Sequence, residues 1–136
     1  MIRALETSAS ALVAQRTRLD VIAGNMANAF TTQRDDGVDG PYRRRVVSFQ
    51  AGREDGAPGV HVERIIEDPS EFRLSYEPGH PDAMKAGPHA GYVRYPNVNL
   101  TMEYVDALEA TRAYELNVAM MNVSRSMLTR SIELFA

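Results

Sequence analysis

Histidines are the residues of this sequence that first suggest a catalytic or metal site. The chain has three of them, His61, His80 and His89, and it has no cysteine. His80 and His89 flank Asp82 in a loop rich in glycine and proline, so a zinc site of two histidines and a carboxylate is conceivable. Neither an HExxH spacing nor a second ligand pair accompanies them. Ordinary loop histidines are the favoured interpretation, and we predict no metal site and no cofactor.

Serine nucleophiles and phosphate-binding loops also lack a recognisable pattern. No serine lies in a GxSxG elbow, and the glycines form neither a GxGxxG nor a GxxxxGK loop. The one basic cluster, Arg43 to Arg45, belongs to a chain with a formal net charge of −3. Alternate residues of a strand point to opposite sides, so a solvated strand is favoured there over a polyanion site. We predict neither an enzyme nor a nucleic-acid-binding protein.

Length and composition restrict the architecture. The chain has 136 residues, of which 44% are apolar and 24% charged, as in a soluble protein of one domain or of one small domain with long helical arms. No apolar run approaches the roughly 20 residues that cross a bilayer, so we expect no direct membrane insertion. The first residues lack the cleavage pattern of a secretory signal. We expect either retention in the cytoplasm or export without a cleaved signal peptide.

Proline and glycine divide the chain into three sections. The middle section holds all seven prolines and eight of the nine glycines, which is typical of strands and turns, whereas the two ends are typical of helices. We predict an α+β fold in which long N- and C-terminal helices pair in a coiled-coil-like core, with a small antiparallel β domain inserted between them. The expected sections are 1–33, 34–96 and 97–136.

The N-terminal section has a narrow apolar seam with heptad spacing. Its members recur every seven residues, with one more near the intervening heptad position: Leu5, Leu12, Leu19, Met26 and Ile22. A helix of about 20 residues with so thin a stripe is marginal alone, so it should pack against other helices. Asn25 and Asn28 are expected to mark the helix end and to fix register through hydrogen bonds to neighbouring chains.

The C-terminal section carries two adjacent apolar stripes. Asn97 or Asn99 could cap its first turn, and Glu103 suits the positive end of a helix. The first stripe consists of Leu116, Met120, Val123, Met127 and Leu134, and the second of Val118, Met121, Leu128, Ile132 and Phe135. So wide a face could pack inside its own domain or be buried among several copies of the chain. Periodicity alone leaves both interpretations open.

Alternation and turn residues predict short strands in the middle section. The candidate strands are 42–49, 60–66, 72–76 and, less regularly, 91–95, each rich in β-branched or aromatic residues. Turn signals separate them, among them Asp39-Gly40-Pro41, Asp55-Gly56 and Pro78-Gly79. These strands account for the inserted β domain.

Short stretches of both ends closely resemble motifs of the flagellar rod and hook proteins. The N-terminal motif of that family is similar to 8–12 (SASAL), 14–16 (AQR), 19–22 (LDVI), 25–29 (NMANA) and 31–32 (TT), and its ending is similar to 110–117 (ATRAYELN). Other stretches resemble the FlgC type alone: 40–44 (GPYRR), 67–70 (EDPS), 72–74 (FRL) with Tyr76, 78–83 (PGHPDA), 91–93 (GYV) and 95–99 (YPNVN). The likeness spans nearly the whole chain.

This resemblance implies a structural subunit of the proximal rod, the drive shaft that transmits torque across the periplasm in the flagellar basal body. In that family both terminal helices pack with neighbouring subunits, and the β domain lies outside them. The implied partners are other copies of the chain, other flagellar rod proteins, and basal-body ring and export-gate proteins. Export would use the flagellar type III apparatus. The alternative interpretation is a soluble coiled-coil adaptor, which would form a small oligomer of defined size.

The expected subunit interface combines the N-terminal seam, Asn25 and Asn28 with the first C-terminal stripe. Two residues depart from the family pattern. Phe30 replaces a more usual asparagine, and Gly24 replaces a polar residue. Glycine inside a helix costs about 1 kcal/mol relative to alanine. The first helix is therefore expected to end or bend early.

Overall fold

Two long terminal helices flank four short strands along the chain. The computed structural model describes residues 2–53 and 55–135. The elements follow the chain in the order α1 (Ile2–Ala27), β1 (Arg45–Ala51), β2 (Val60–Glu67), β3 (Arg73–Tyr76), β4 (Tyr92–Tyr95) and α2 (Leu100–Phe135). The predicted α+β architecture, with terminal helices and an antiparallel β region between them, is confirmed. Neither helix in the described residues is long and apolar enough to cross a membrane.

The two helices pack against each other in opposite directions. Asn25 near the end of α1 bonds to Glu103 near the start of α2, and Leu5 lines a groove together with Met121 and Arg125. Because α1 has 26 residues and α2 has 36, α2 projects about 15 Å beyond the start of α1. We call residues 129–135 the C-terminal overhang.

The strands form two separate two-stranded sheets. β1 and β2 are an antiparallel hairpin whose register runs from Arg45 opposite Glu67 to Ala51 opposite Val60. β3 and β4 pair antiparallel, with Arg73 opposite Tyr95. Because a two-stranded sheet is barely stable alone, each needs support from the rest of the fold. The β1–β2 hairpin finds it on α1.

A glycine permits the close contact between this hairpin and α1. Gly59 has a φ of 153° and lies just before β2, and a Cβ atom there would come within 2.5 Å of Ser10 Oγ. The next backbone amide, that of Val60, donates a hydrogen bond of 3.1 Å to the same hydroxyl. A side chain at Gly59 would push the hairpin away from α1.

The helix boundaries test two of the sequence predictions. α1 continues through Gly24 to Ala27, so the expected early end at this glycine is wrong, and the alternative of a bend there stays a prediction. A Cβ at Gly24 would lie 4.0 Å from the Tyr42 hydroxyl, an ordinary contact distance. Asn99 caps α2, because its Oδ1 accepts hydrogen bonds from the amides of Thr101 at 3.0 Å and Met102 at 3.3 Å.

The apolar core is small, and its members come from both helices, from β4 and from the segments that follow α1 and precede α2. Its buried apolar residues are Ala14, Ile22, Ala29, Val93, Val98 and Ala110. Several of them are alanines, which bury little surface and therefore contribute little hydrophobic free energy. Polar contacts must therefore contribute to holding these elements together.

Candidate assembly surfaces

A fully buried carboxylate ties three elements together at the start of α2. Glu103 has no exposure to solvent. Its Oε1 accepts a 2.6 Å hydrogen bond from Arg44 Nε and its Oε2 a 3.1 Å bond from Asn25 Nδ2. A buried carboxylate without partners would cost several kcal/mol, so these bonds are required for burial. They join the end of α1, the segment before β1 and the first turn of α2.

Arg44 extends this connection to two more carboxylates. Its guanidinium lies 3.2 Å from Asp106 Oδ2 and 3.6 Å from Asp68 Oδ2. Partial burial alone would lower the pKa of Arg44, but the hydrogen bond and charge of Glu103, with the charges of Asp106 and Asp68, outweigh it and raise that pKa. The guanidinium therefore remains charged at every physiological pH.

Asn25 uses all of its hydrogen-bonding capacity within the chain. The side chain is only 1% exposed. Its Nδ2 donates to the Arg45 carbonyl at 2.8 Å as well as to Glu103, and its Oδ1 accepts from Tyr42 Oη at 3.0 Å and the Arg45 amide at 2.9 Å. An amide side chain has two donors and two acceptor lone pairs. The expectation that Asn25 bonds to a neighbouring chain is therefore wrong.

Asn28 also bonds locally, at the end of α1. Its Nδ2 donates to the Gly24 carbonyl at 2.9 Å, and its Oδ1 accepts from the Thr31 hydroxyl at 3.1 Å. These bonds satisfy groups left over where the helix stops. Asn28 is only partly buried, so its role toward neighbouring chains stays a prediction.

Asn97 joins the loop before β3 to the same cluster. Its Oδ1 accepts from the Arg44 amide at 2.8 Å, and its Nδ2 donates to the Asp68 carbonyl at 3.1 Å and to Ser70 Oγ at 2.8 Å. Hydrogen bonds from the Ser70 amide and hydroxyl, followed by the charge of Arg44, hold the pKa of Asp68 below its usual value. We call Asn25, Arg44, Asp68, Asn97, Glu103 and Asp106 the polar clasp.

The polar clasp brings together motifs that lie far apart in the sequence. Its residues come from 25–29, 40–44, 67–70 and 95–99, together with the first turns of α2. Periodicity could not reveal it, because Arg44 and Glu103 are 59 positions apart. The available signal was the presence of uncommon polar residues, such as Asn25, beside an apolar seam.

The three adjacent arginines point to different partners. The Arg43 guanidinium lies 4.3 Å from the centre of the Phe72 ring and donates to the carbonyls of Asp68 and Ser70. Arg44 belongs to the polar clasp, and the Arg45 guanidinium lies 5.7 Å from the centre of the Tyr42 ring. The solvated strand expected here is wrong for Arg43 and Arg44, which support the fold and form no shared basic patch.

The first C-terminal stripe forms an exposed apolar surface along α2. Its members are between 53% and 85% exposed: Leu116, Met120, Val123, Met127 and Leu134. Small or polar residues such as Ala110, Ala113, Asn117 and Ser124 occupy the better-covered positions of α2. An apolar surface of this length is unusual for a protein that functions as a monomer and indicates an interaction site. The chain itself does not bury the stripe.

The N-terminal seam is better covered than this stripe. Ile22 is buried, and the four heptad positions are partly buried: Leu5, Leu12, Leu19 and Met26. In the second C-terminal stripe, Met121 and Leu128 are also partly buried, but Ile132 and Phe135 are exposed. Those two residues extend past the start of α1.

The histidines do not assemble a metal centre. His80 Nδ1 accepts a hydrogen bond from the Asp82 amide at 3.1 Å, Asp82 Oδ2 accepts one from Thr32 Oγ1 at 2.7 Å, and the ring of His89 lies edge-on to that of Tyr92. Residues 2–53 and 55–135 contain no group of three histidine or acidic side chains able to hold a metal ion. The zinc-site alternative has no ligand set in this part of the chain.

Comparisons with known protein families match both ends of the chain. Residues 5–33 match the family model described as flagella basal body rod protein. Residues 89–134 match the model described as flagellar basal body rod FlgEFG protein C-terminal. The first match covers most of α1, and the second covers β4 and nearly all of α2.

Curated relatives match over almost their whole length. The flagellar basal-body rod protein FlgC of Bacillus subtilis is 42% identical, over 96% of this chain and 95% of its own. The FlgC proteins of Yersinia enterocolitica (40% identical, 98% and 97% covered) and Borreliella burgdorferi (39% identical, 93% and 92% covered) are similarly close. This chain, with its paired terminal helices and outward-facing apolar stripe, belongs to the FlgC family of flagellar basal-body rod proteins.

Proposed function

We propose that this protein is a structural subunit of the flagellar basal-body rod and that it has no catalytic activity of its own. In this proposal it polymerises helically into the periplasm-spanning shaft that transmits torque. The observation that carries the proposal is the exposed apolar stripe of α2, from Leu116 to Leu134. Membership of the FlgC family supports the same conclusion.

Burial of the stripe between subunits supplies the free energy of assembly. Complete burial of one large apolar side chain contributes about 1.5–3 kcal/mol. Five such side chains on each subunit could hold neighbours firmly even after the entropic cost of association. A contact between two different surfaces repeats without closing, so it produces a helical shaft.

The proposed partners follow from the positions of the surfaces. The stripe of α2 and the uncovered margin of the N-terminal seam face other copies of the chain and other rod proteins. Within the described residues, the strands of the β region contact α1 and not α2, so this region is available to ring and export-gate proteins. A soluble adaptor would instead bury the stripe in a small oligomer of defined size.

Deletion of the gene followed by electron microscopy of purified basal bodies tests this proposal. We expect rods and swimming to be lost, and to return when the wild-type gene is supplied. Intact rods in the deletion strain would contradict the proposed role.

Variants of the stripe then test how the subunit assembles. Met120→Asp combined with Val123→Asp should fail to restore rods, because each carboxylate would be buried at a subunit contact. The control is Ala119→Asp, an exposed position outside the stripe on the same helix. Equal function of the stripe variant and the control would contradict a role for the stripe.

A further inference from the structure

An open groove lies between the first half of α1 and the β1–β2 hairpin. It encloses about 670 Å³. Ala9, Val13 and Thr17 line it from α1, and Val60 and Val62 line it from β2. Val13 remains 68% exposed although it faces this largely apolar space. Arg53 and Asp55 also line it and pair with each other at 2.9 Å. Among the lining residues that the structure describes, no apolar side chain is larger than valine.

The C-terminal overhang has the opposite character, with large apolar residues that project beyond their support. Ile132 is 67% exposed and Phe135 is 94% exposed. On a helical wheel both continue the face of α2 that includes Ala110, Met121 and Leu128 and packs against α1. The overhang therefore presents an α1-packing surface at a position where α1 has already ended.

We propose that the C-terminal overhang of one copy docks into the groove between α1 and the hairpin of the next copy. This proposal rests on the proposed rod function and identifies one of its subunit contacts. The occupant is a second copy because the overhang is the continuation of a surface that already packs on α1 within each chain.

Size supports this occupant. The α1 side of the groove carries the small side chains of Ala9, Val13 and Thr17, whereas the overhang supplies the larger apolar side chains of Ile132 and Phe135.

The contact would also set an axial spacing. Along the axis of the helix pair, Ile132 lies about nine residues beyond the level of Leu5 in one direction. Val13 lies eight residues from Leu5 in the opposite direction. At 1.5 Å per residue, this docking displaces the next copy by about 25 Å along the helix axis. The second copy presents its own free overhang, so the contact repeats without closing.

Disulfide cross-linking tests this contact cleanly because the natural chain has no cysteine. Purified Val13→Cys and Ile132→Cys proteins are mixed and oxidised, and each is also oxidised alone. We expect the mixture to give a band at twice the 15.1 kDa monomer mass. Each protein alone should remain monomeric. Circular dichroism of each variant verifies that folding is retained.

Two matched controls separate docking from chance collision. Phe30→Cys replaces Val13→Cys at a position of equal exposure, 67%, beyond the far end of α1. Leu134→Cys replaces Ile132→Cys on the overhang but points about 200° away around the helix. Both control mixtures should give little dimer. Equal dimer in a control mixture, or a dimer of one variant alone, would overturn the proposal.

The same pair of cysteines distinguishes failure of this contact from failure of the rod function. A strain that carries Val13→Cys and Ile132→Cys in one chain should yield a ladder of cross-linked multimers in purified basal bodies. Rods that contain the chain but give no ladder would refute the docking and leave the rod function intact. Absence of the wild-type chain from basal bodies would refute the rod function as well.

Discussion

The two ends of the helix pair differ in how completely the chain satisfies its own side chains. At one end the polar clasp surrounds Glu103 with partners and leaves Asn25 no free hydrogen-bonding group. At the other end, and along the outer face of α2, large apolar residues face solvent. The side chains of the clasp end are satisfied within the monomer, whereas the outer face and the overhang are the surfaces that we propose contact neighbouring subunits. The contrast distinguishes residues that stabilise the subunit from residues proposed to hold the assembly together.

Removal of Arg44 should have the largest effect on the isolated subunit. Arg44→Met leaves the buried Glu103 carboxylate without its charged partner, which costs about 3–5 kcal/mol. The free energy of unfolding from urea titration measures this loss. Arg64→Met is the control, because the Arg64 side chain is 67% exposed and its Nε lies 3.9 Å from Glu63 Oε2. This change should alter stability by less than about 0.5 kcal/mol. Similar losses of unfolding free energy in both variants would contradict a special role for the polar clasp in the stability of the monomer.

Asn25→Ala should have the next largest effect, again in the monomer. It removes four hydrogen bonds and leaves the Arg45 backbone groups and one oxygen of Glu103 without that partner, for a loss of about 2–3 kcal/mol. Asn28→Ala removes hydrogen bonds only at the C-terminal end of α1 and should cost about 1 kcal/mol. If Asn25→Ala left the urea midpoint of the monomer unchanged yet blocked assembly, Asn25 would act between chains after all.

Asp68 gives a smaller effect that depends on pH. Its pKa is lower in the folded chain than in the unfolded one, so its ionised form adds stability above about pH 4. That stability disappears as the pH falls through the depressed folded-state pKa. Asp68→Asn should be less stable than wild type at pH 7, and the two should converge near pH 2. A constant difference across this range would mean that the Asp68 charge is irrelevant.

Much of the fold could be predicted from the sequence because its signals are local. Proline and glycine confine the strands to the middle, and Asn99 caps α2 as one of the two expected candidates. The hairpin contact of Gly59 and the pairing of Arg44 with Glu103 could not be predicted, since both depend on residues distant in the chain. Local periodicity also could not tell which stripe of α2 would face α1.

The assembly surface was accessible to sequence analysis only in part. The structure exposes the first stripe of α2, as an assembly surface would require, and its role between subunits stays a prediction. The role of Asn25 was misjudged, because a polar residue beside an apolar seam can serve either the chain or its partners. The position of Asn25 next to Tyr42, Arg45 and Glu103 in the structure is what distinguishes these two roles.

The accessibility of a single thiol at Met120 tests the central claim most directly. Met120→Cys introduces the only cysteine of the chain at a position that is 57% exposed, so the stability of the monomer should change by less than about 0.5 kcal/mol. We expect a maleimide reagent to label this thiol rapidly in the purified monomer and very slowly in purified basal bodies. Equally rapid labelling in both would contradict burial of the α2 stripe between subunits of the rod.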